Sequence, residues 1–520
     1  MRTIATDQRP SSSDPIAGSG QGAFLKHALV YGFGSMMLQV ASIVLVPLYT
    51  RHLTPADFGV LEILTRTGQI MSVFLMGTGV TVATFTFYCQ ASTERQRRET
   101  ASSVAALMVL LLVVGGLPIL AFAGPLGRLI GVDDSGLVSL GILAALCDAS
   151  PLVPLVLAQA KVRSSYYVAV GLAMFVAKVL AVTAAVVGLG LGVRGILLAS
   201  ILTSGSFAVV LHVVEFWQSG FCPRAATLWK AIGFALPFLP GGLCFFILSN
   251  GDRYFLIRCA GRDELGLYSL GCKLAMAVGM FSYAPLAQVW SARMYGVFAR
   301  PGAAMLVGRA CSRMLGAYML VGLGACIFAK EAINLLASPD YARAADVAPA
   351  IVAAYLFYYA SIFAEGVFYV AHRTAVKPWI AAASMVVMCG LYLGLIPKYG
   401  ARGAACAAMG GFAFHAAITW MVAQRILHVR YEYGRLAAML LSAAAIVVLA
   451  SQVHLGAMTV PAKLVLAAAW PAFLWCVGLV RDDEKAAMRA GVARLVRWLA
   501  GRWTTMEGSD APVAKSIERR

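Results

Sequence analysis

Fourteen stretches of this chain run for about twenty residues with almost no charge, and that pattern leaves few ways to fold. They lie near 27–49, 60–88, 102–123, 137–158, 168–188, 195–215, 231–256, 265–290, 310–329, 347–371, 379–397, 403–424, 436–455 and 461–480. A bilayer's hydrocarbon core, about 30 Å thick, needs roughly 20 apolar helical residues to cross it. A closed β-barrel is the other spanning solution, but its strands alternate apolar and polar residues. Runs such as Val104–Val114 and Ala438–Ala450 do not alternate, so the spans read as helices. Composition agrees: 60% of the 520 residues are hydrophobic and 13% charged. A soluble domain has about 25% charged residues, so soluble and disordered classes are both excluded. The expectation is an all-α polytopic membrane protein.

The 42 Lys and Arg set its orientation. With a cytoplasmic amino terminus, the inner loops and the tail after 480 hold 27 of them and the outer loops 10, a bias that places both termini inside. The net charge of +18 then faces anionic membrane lipids rather than nucleic acid. Residues 1–22 read as a disordered cytoplasmic tail, and the first span begins too late for a cleaved signal peptide. Beyond 480 a stripe of Met488, Val492, Leu495, Leu499 and Trp503 among arginines reads as an amphipathic helix on the inner leaflet, within a basic tail over 481–520.

No outer loop exceeds about 17 residues, the longest being 330–346, which leaves no room for an extracytoplasmic catalytic domain. No Walker-type glycine loop or Ser/His/Asp arrangement is identifiable. The eleven cysteines lie singly, without metal-ligand spacing. The chain reads as a carrier without its own ATPase, not as an enzyme, and no metal or other cofactor is expected.

The sequence also repeats. Arg51-His-Leu-Thr-Pro-Ala-Asp-Phe-Gly59 follows the first span and Arg258-Cys-Ala-Gly-Arg-Asp-Glu-Leu-Gly266 the seventh. An offset of 207 pairs Arg51 with Arg258, Gly59 with Gly266, Gly34 with Gly241 and Arg66 with Lys273. An offset of 208 pairs Gly192-Val-Arg-Gly195 with Gly400-Ala-Arg-Gly403. Six spans, an even number, separate the partners, which implies two parallel six-helix lobes over 23–216 and 230–425. Two additional helices over 436–480 complete the count.

These residues resemble a known family. Pro47-Leu-Tyr-Thr-Arg51 through Gly59, Asp252-Arg-Tyr-Phe255 with Glu264-Leu-Gly-Leu-Tyr268, and Tyr341-Ala-Arg-Ala-Ala345 before Pro349 are similar to signatures of the bacterial polysaccharide flippases. These are the Wzx-type proteins of the multidrug/oligosaccharidyl-lipid/polysaccharide exporter superfamily. The likeness covers roughly 24–425 and fits the fourteen-helix members. It implies a flippase of the bacterial inner membrane, carrying an undecaprenyl-diphosphate-linked oligosaccharide by alternating access for O-antigen, lipopolysaccharide or exopolysaccharide assembly. A polysaccharide polymerase and export complex are the implied protein partners, and a cationic central cavity the implied site.

Charges inside spans cost about 2.5–3.5 kcal/mol on insertion scales and must face the bundle interior or a partner. Glu62 and Arg66, four apart, share one helical face, as a local ion pair or with Arg66 in the cavity. Lys273 occupies the place of Arg66 in the second half, and two facing cations suit a diphosphate. Lys178 sits mid-span, in the cavity or snorkelling. Arg253 beside Asp252 reads as an interfacial pair. Asp148, near Pro151 and Pro154, and Glu365 are candidates to couple a proton or sodium gradient, or else to balance Lys178 or another cation. His212 and His415 read as packed histidines. A second reading is a cation-coupled multidrug antiporter of the same superfamily. Those carriers generally place a carboxylate in the first span, and residues 27–49 hold none. A third, a scaffold for polysaccharide assembly, leaves the paired intramembrane charges without a purpose.

Overall fold

The computed structural model describes residues 45–75, 77–453, 458–479, 481–482 and 484–486. Helix α1 covers 45–52, the end of the first expected span. Then follow α2 (Pro55–Phe74), α3 (Gly77–Gln90), α4 (Glu94–Ile130), α5 (Ser135–Ala160), α6 (Ser164–Gly188) and α7 (Gly192–Ser219). After these come α8 (Ala225–Ala235), α9 (Phe238–Cys259), α10 (Arg262–Phe298), α11 (Ala303–Ile327), α12 (Ala329–Leu336) and α13 (Ala348–Val370). Last are α14 (Thr374–Ile426), α15 (Tyr433–Ser451) and α16 (Thr459–Cys476). The amino-terminal tail, most of the first span and nearly all of the carboxy-terminal amphipathic stripe lie outside the described residues.

Among the described residues, ten helices are long and apolar enough to cross a membrane, and twelve if the bent pairs α2–α3 and α8–α9 each count as one span. The second pair bends by 44° at Pro237, whose ring removes an amide donor. The 53-residue α14 is two helices joined at Gly400. With φ 55° and ψ −132°, a side chain there would be strained, and the Glu264 carboxylate accepts from the Ala401 amide freed by the break at 3.1 Å. The expected spans are thus present as helices wherever they are described.

The surface is that of a membrane protein. Leu202, Val209 and Val386 turn about two-thirds of their area outward, a use of apolar side chains that water would penalise. Residues to Glu432 form one compact unit and those from Tyr433 a second. Within the second, α15 packs on α16 and the buried Trp470 indole donates to Ser442 Oγ at 3.0 Å.

Paired sequence positions adopt paired structures. Val162 and His372 are the only non-glycine residues with positive φ among those described, at 57° and 54°. Each follows a helix, and the next amide reaches back five residues: Arg163 to the Ala158 carbonyl at 3.0 Å, Arg373 to that of Phe368 at 2.9 Å. The glycine-flanked Arg194 and Arg402 each bind an aspartate in a preceding loop, Asp134 at 2.7 Å and Asp346 at 2.9 Å. Arg194 and the Leu137 amide hold the Asp134 carboxyl below the usual carboxylate range.

Candidate functional site

The Leu-Thr-Pro-Ala-Asp signature is a helix start. Thr54 accepts from the Asp57 amide at 3.2 Å, and Asp57 answers the Thr54 amide at 3.3 Å, with Pro55 in the first turn. This fixes the direction of α2, which crosses α10. A Cβ on Gly59 would overlap the Arg262 carbonyl oxygen, and one on Gly266 the Pro55 carbonyl oxygen. The two glycines are 207 residues apart, as are Pro55 and Arg262, so the contact is reciprocal: each helix offers the equivalent glycine to the equivalent carbonyl of the other.

More links between the first and second halves gather at this end. Arg258 donates to the Arg128 carbonyl at 2.8 Å, Arg262 to that of Gly131 at 3.1 Å, and Tyr341 to that of Leu53 at 3.1 Å. Arg262 also pairs with Asp133 at 2.8 Å. Along α10 every residue from Leu265 to Cys272 is buried, whereas Val289 and Tyr295 near its end are half-exposed. The helix is clasped at its start and open at its end.

One turn inward from the glycines lies Glu62, buried and ringed by cations from three helices. Arg66 Nε donates to Glu62 Oε1 at 2.7 Å and Nη2 to the same oxygen at 2.5 Å. Arg253 of α9 approaches that oxygen at 3.6 Å, and Lys273 of α10 approaches Oε2 at 3.7 Å. Asp252 takes the other side of Arg253 at 2.7 Å and accepts from Tyr268 at 2.5 Å. Two carboxylates therefore face three cations, leaving one net positive charge. Arg253 is 2% exposed, but the Lys273 side chain is 31% exposed and rests over the Phe58 ring. The remaining Arg66 Nη1 points to the exposed Gln69 at 3.0 Å. The open side of the cluster is therefore formed by Lys273 and, at 14% exposure, by a smaller part of Arg66.

The residues singled out in the sequence thus fall in three places. Glu62, Arg66 and Lys273 come together. Lys178 does not join them; it pairs with Asp148 at 3.1 Å, and Ser204 donates to the same carboxylate. Glu365 pairs with Lys377 at 2.8 Å, not with Lys178. Arg253, read from sequence as an interfacial pair, is paired with Asp252 but sits at the centre of the cluster. Its counterpart at the repeat offset is Val46, so the repeat could not flag it. The histidines are packed: His415 Nδ1 is 2.8 Å from Ser384 Oγ, and His212 Nδ1 2.9 Å from the Ala208 carbonyl.

The Asp148–Lys178 pair is partly exposed, at 42% and 29% of its side chains. If it only balances charge, Lys178→Met combined with Asp148→Asn restores the thermal stability and the activity that either single change reduces. A double variant as defective as Asp148→Asn alone would assign the carboxylate a proton or sodium ion.

A family model described as "Polysaccharide biosynthesis protein" matches residues 24–291. Curated proteins give no match. Among solved structures, the fold is similar to the lipid II flippase MurJ in an inward closed conformation, with TM-score 0.69, 10% identity, and coverage of 87% of this chain and 100% of that one. It is also similar to an inward-facing multidrug resistance MATE family transporter of the MOP superfamily, with TM-score 0.62, 14% identity, and coverage of 75% and 94%. A MOP superfamily transporter from Pyrococcus furiosus, described as having a binding pocket of reverse polarity, matches with TM-score 0.54, 13% identity, and coverage of 77% and 95%.

Proposed function

The chain belongs to the polysaccharide biosynthesis protein family, and from that premise we propose that it is a flippase for an undecaprenyl-diphosphate-linked oligosaccharide. It moves this lipid from the inner to the outer leaflet of the bacterial inner membrane, with both termini cytoplasmic, and feeds assembly of a surface or secreted polysaccharide. Its lobes are 23–216 and 230–425, and alternating access proceeds by their rocking. The observation that carries the reading is the cation cluster at the crossing of the halves, with Lys273 and the edge of Arg66 accessible. A diphosphate offers closely spaced anionic oxygens to both, and each charge-assisted hydrogen bond is worth about 1.5–3 kcal/mol. The MurJ structure supports a lipid-linked substrate, since it is described as a lipid II flippase. A site with net positive charge is a poor host for a cationic drug, which disfavours the multidrug antiporter.

The direct test is deletion in the native host, followed by assay of the lipid-linked glycan by leaflet. Accumulation on the inner leaflet, with loss of surface polysaccharide and rescue by the wild-type copy, is expected. Normal surface glycan with no trapped intermediate, in a host without a redundant flippase, would refute the reading. At the site, Arg66→Ala with Lys273→Ala should lower export about a hundredfold or more, each of the two lost contacts being worth about a factor of ten or more. Glu62 keeps Arg253 as partner at 3.6 Å, and thermal unfolding of the double variant checks that it still folds. Export at the wild-type rate would remove both residues from the site.

A further inference from the structure

Aromatic rings of the second half assemble into a wall that no part of the charge cluster requires. On α13, Tyr355, Tyr358 and Tyr359 lie side by side, with Ile362, Glu365 and Tyr369 continuing the same helical face. Tyr358 meets Phe245 of α9 and Phe412 of α14, with centroids 6.4 and 5.2 Å away. Tyr359 stacks on Tyr283 of α10 at 4.3 Å, and Trp290 on Phe363 at 5.0 Å. The wall begins near the cluster, since Ile351, one turn before Tyr355, packs on α10 at Gly271, two residues from Lys273. It ends where Lys377 binds both Glu365, at 2.8 Å, and the Tyr369 hydroxyl, at 2.6 Å. From Tyr355 to Tyr369 a helix rises about 21 Å.

Two features separate this wall from ordinary core. Tyr355, Tyr358 and Tyr359 are only part-buried, and Phe245 is 49% exposed. Among the described residues, nothing hydrogen-bonds the hydroxyls of Tyr355 and Tyr358, whereas those of Tyr283 and Tyr318 are bound to backbone carbonyls at 3.1 and 2.9 Å, and that of Tyr359 packs against Gly279 of α10. Tyrosine hydroxyls facing hydrocarbon would be left unsatisfied, so rings that line a wet cavity are the better account.

We propose that this wall is a saccharide subsite, taking the sugar rings of the lipid-linked glycan whose diphosphate sits at Arg66 and Lys273. A pyranose ring has a C–H face and a hydroxyl edge. Aromatic faces accept the first, and free tyrosine hydroxyls exchange hydrogen bonds with the second. The arrangement places the glycan along α13, running from the cluster toward Lys377. The proposal rests on the flippase reading and adds to it where the sugars lie.

Binding to the full chain in nanodiscs separates the two ideas. The probes are the undecaprenyl-diphosphate-linked glycan extracted from the host membrane, and the undecaprenyl diphosphate left after its sugars are removed. Tyr358→Leu should weaken the glycan-bearing lipid about three- to tenfold and leave the sugar-free lipid unchanged. Tyr358→Phe, which keeps the ring and removes only the hydroxyl, should weaken the glycan-bearing lipid less than Tyr358→Leu does, and unchanged binding of the sugar-free lipid serves as the folding control for both. Equal weakening of both lipids, or no weakening of the glycan-bearing one, would overturn the subsite. Wild-type protein that binds neither lipid would refute the flippase reading itself.

Discussion

Glu62→Gln should destabilise the protein by about 3–5 kcal/mol, the cost of breaking a buried ion pair from one side. The carboxylate is nearly enclosed and receives Arg66, Arg253 and Lys273, while the nearby Asp252 is already engaged by Arg253 and Tyr268. An amide in its place accepts one hydrogen bond from Arg66 but compensates no charge. Thermal unfolding in detergent measures this, with Arg66→Gln as the partner change. In a double-mutant cycle, removing both charges should recover part of the loss, because one cation fewer then lacks a counter-charge. A Glu62→Gln protein as stable as wild type would show that the three cations are solvated, and the cluster would lose its claim to be preorganised.

Gly266→Ala should abolish export and destabilise the protein by about 1–3 kcal/mol or more, the usual range for overpacking. The new methyl meets the Pro55 carbonyl oxygen, its carbon and the Pro55 Cα, all backbone atoms that no rotamer change can move. Only separation of α2 from α10 relieves it, and that separation pulls Lys273 away from Glu62. Gly296 in the same helix has nothing within 4 Å of a Cβ, so Gly296→Ala is the matched control and should be neutral or slightly stabilising. Export assays and thermal unfolding of the two variants check this together. Equal behaviour would mean that the helices do not approach so closely.

The sequence reveals the spans because hydrophobic length is a property of each segment alone. It also reveals Glu62, Arg66 and Lys273, because four-residue spacing and a constant offset both survive as patterns in the text of the chain. What it cannot reveal is adjacency. The offset says that Gly59 and Gly266 are equivalent, but equivalent residues touch only where a two-fold axis passes between them. The offset likewise gives no warning of Arg253, whose counterpart is Val46. Asp148 and Lys178 are 30 residues apart on neighbouring helices, and a spacing of that kind fixes neither their distance nor their separation from Arg66. The tyrosines of α13 stand in the sequence at helical spacing, but the wall is invisible for the same reason: its other rings come from α9, α10 and α14, which no spacing ties to them.

The reciprocal contact of α2 and α10 has a consequence for how such a chain can change. In everything but chain continuity it is an isologous interface, of the kind a symmetric dimer makes with itself. A half-length protein of this design would need only one glycine there, used once by each copy. In the single chain two positions, Gly59 and Gly266, fill that place, each constrained by a carbonyl at the start of the other helix. Drift that enlarges either residue is therefore opposed by the partner half's backbone, whatever the second glycine does. Away from that contact the halves are free to diverge, as the aromatic wall of the second illustrates, but at the contact they must continue to fit one another as copies.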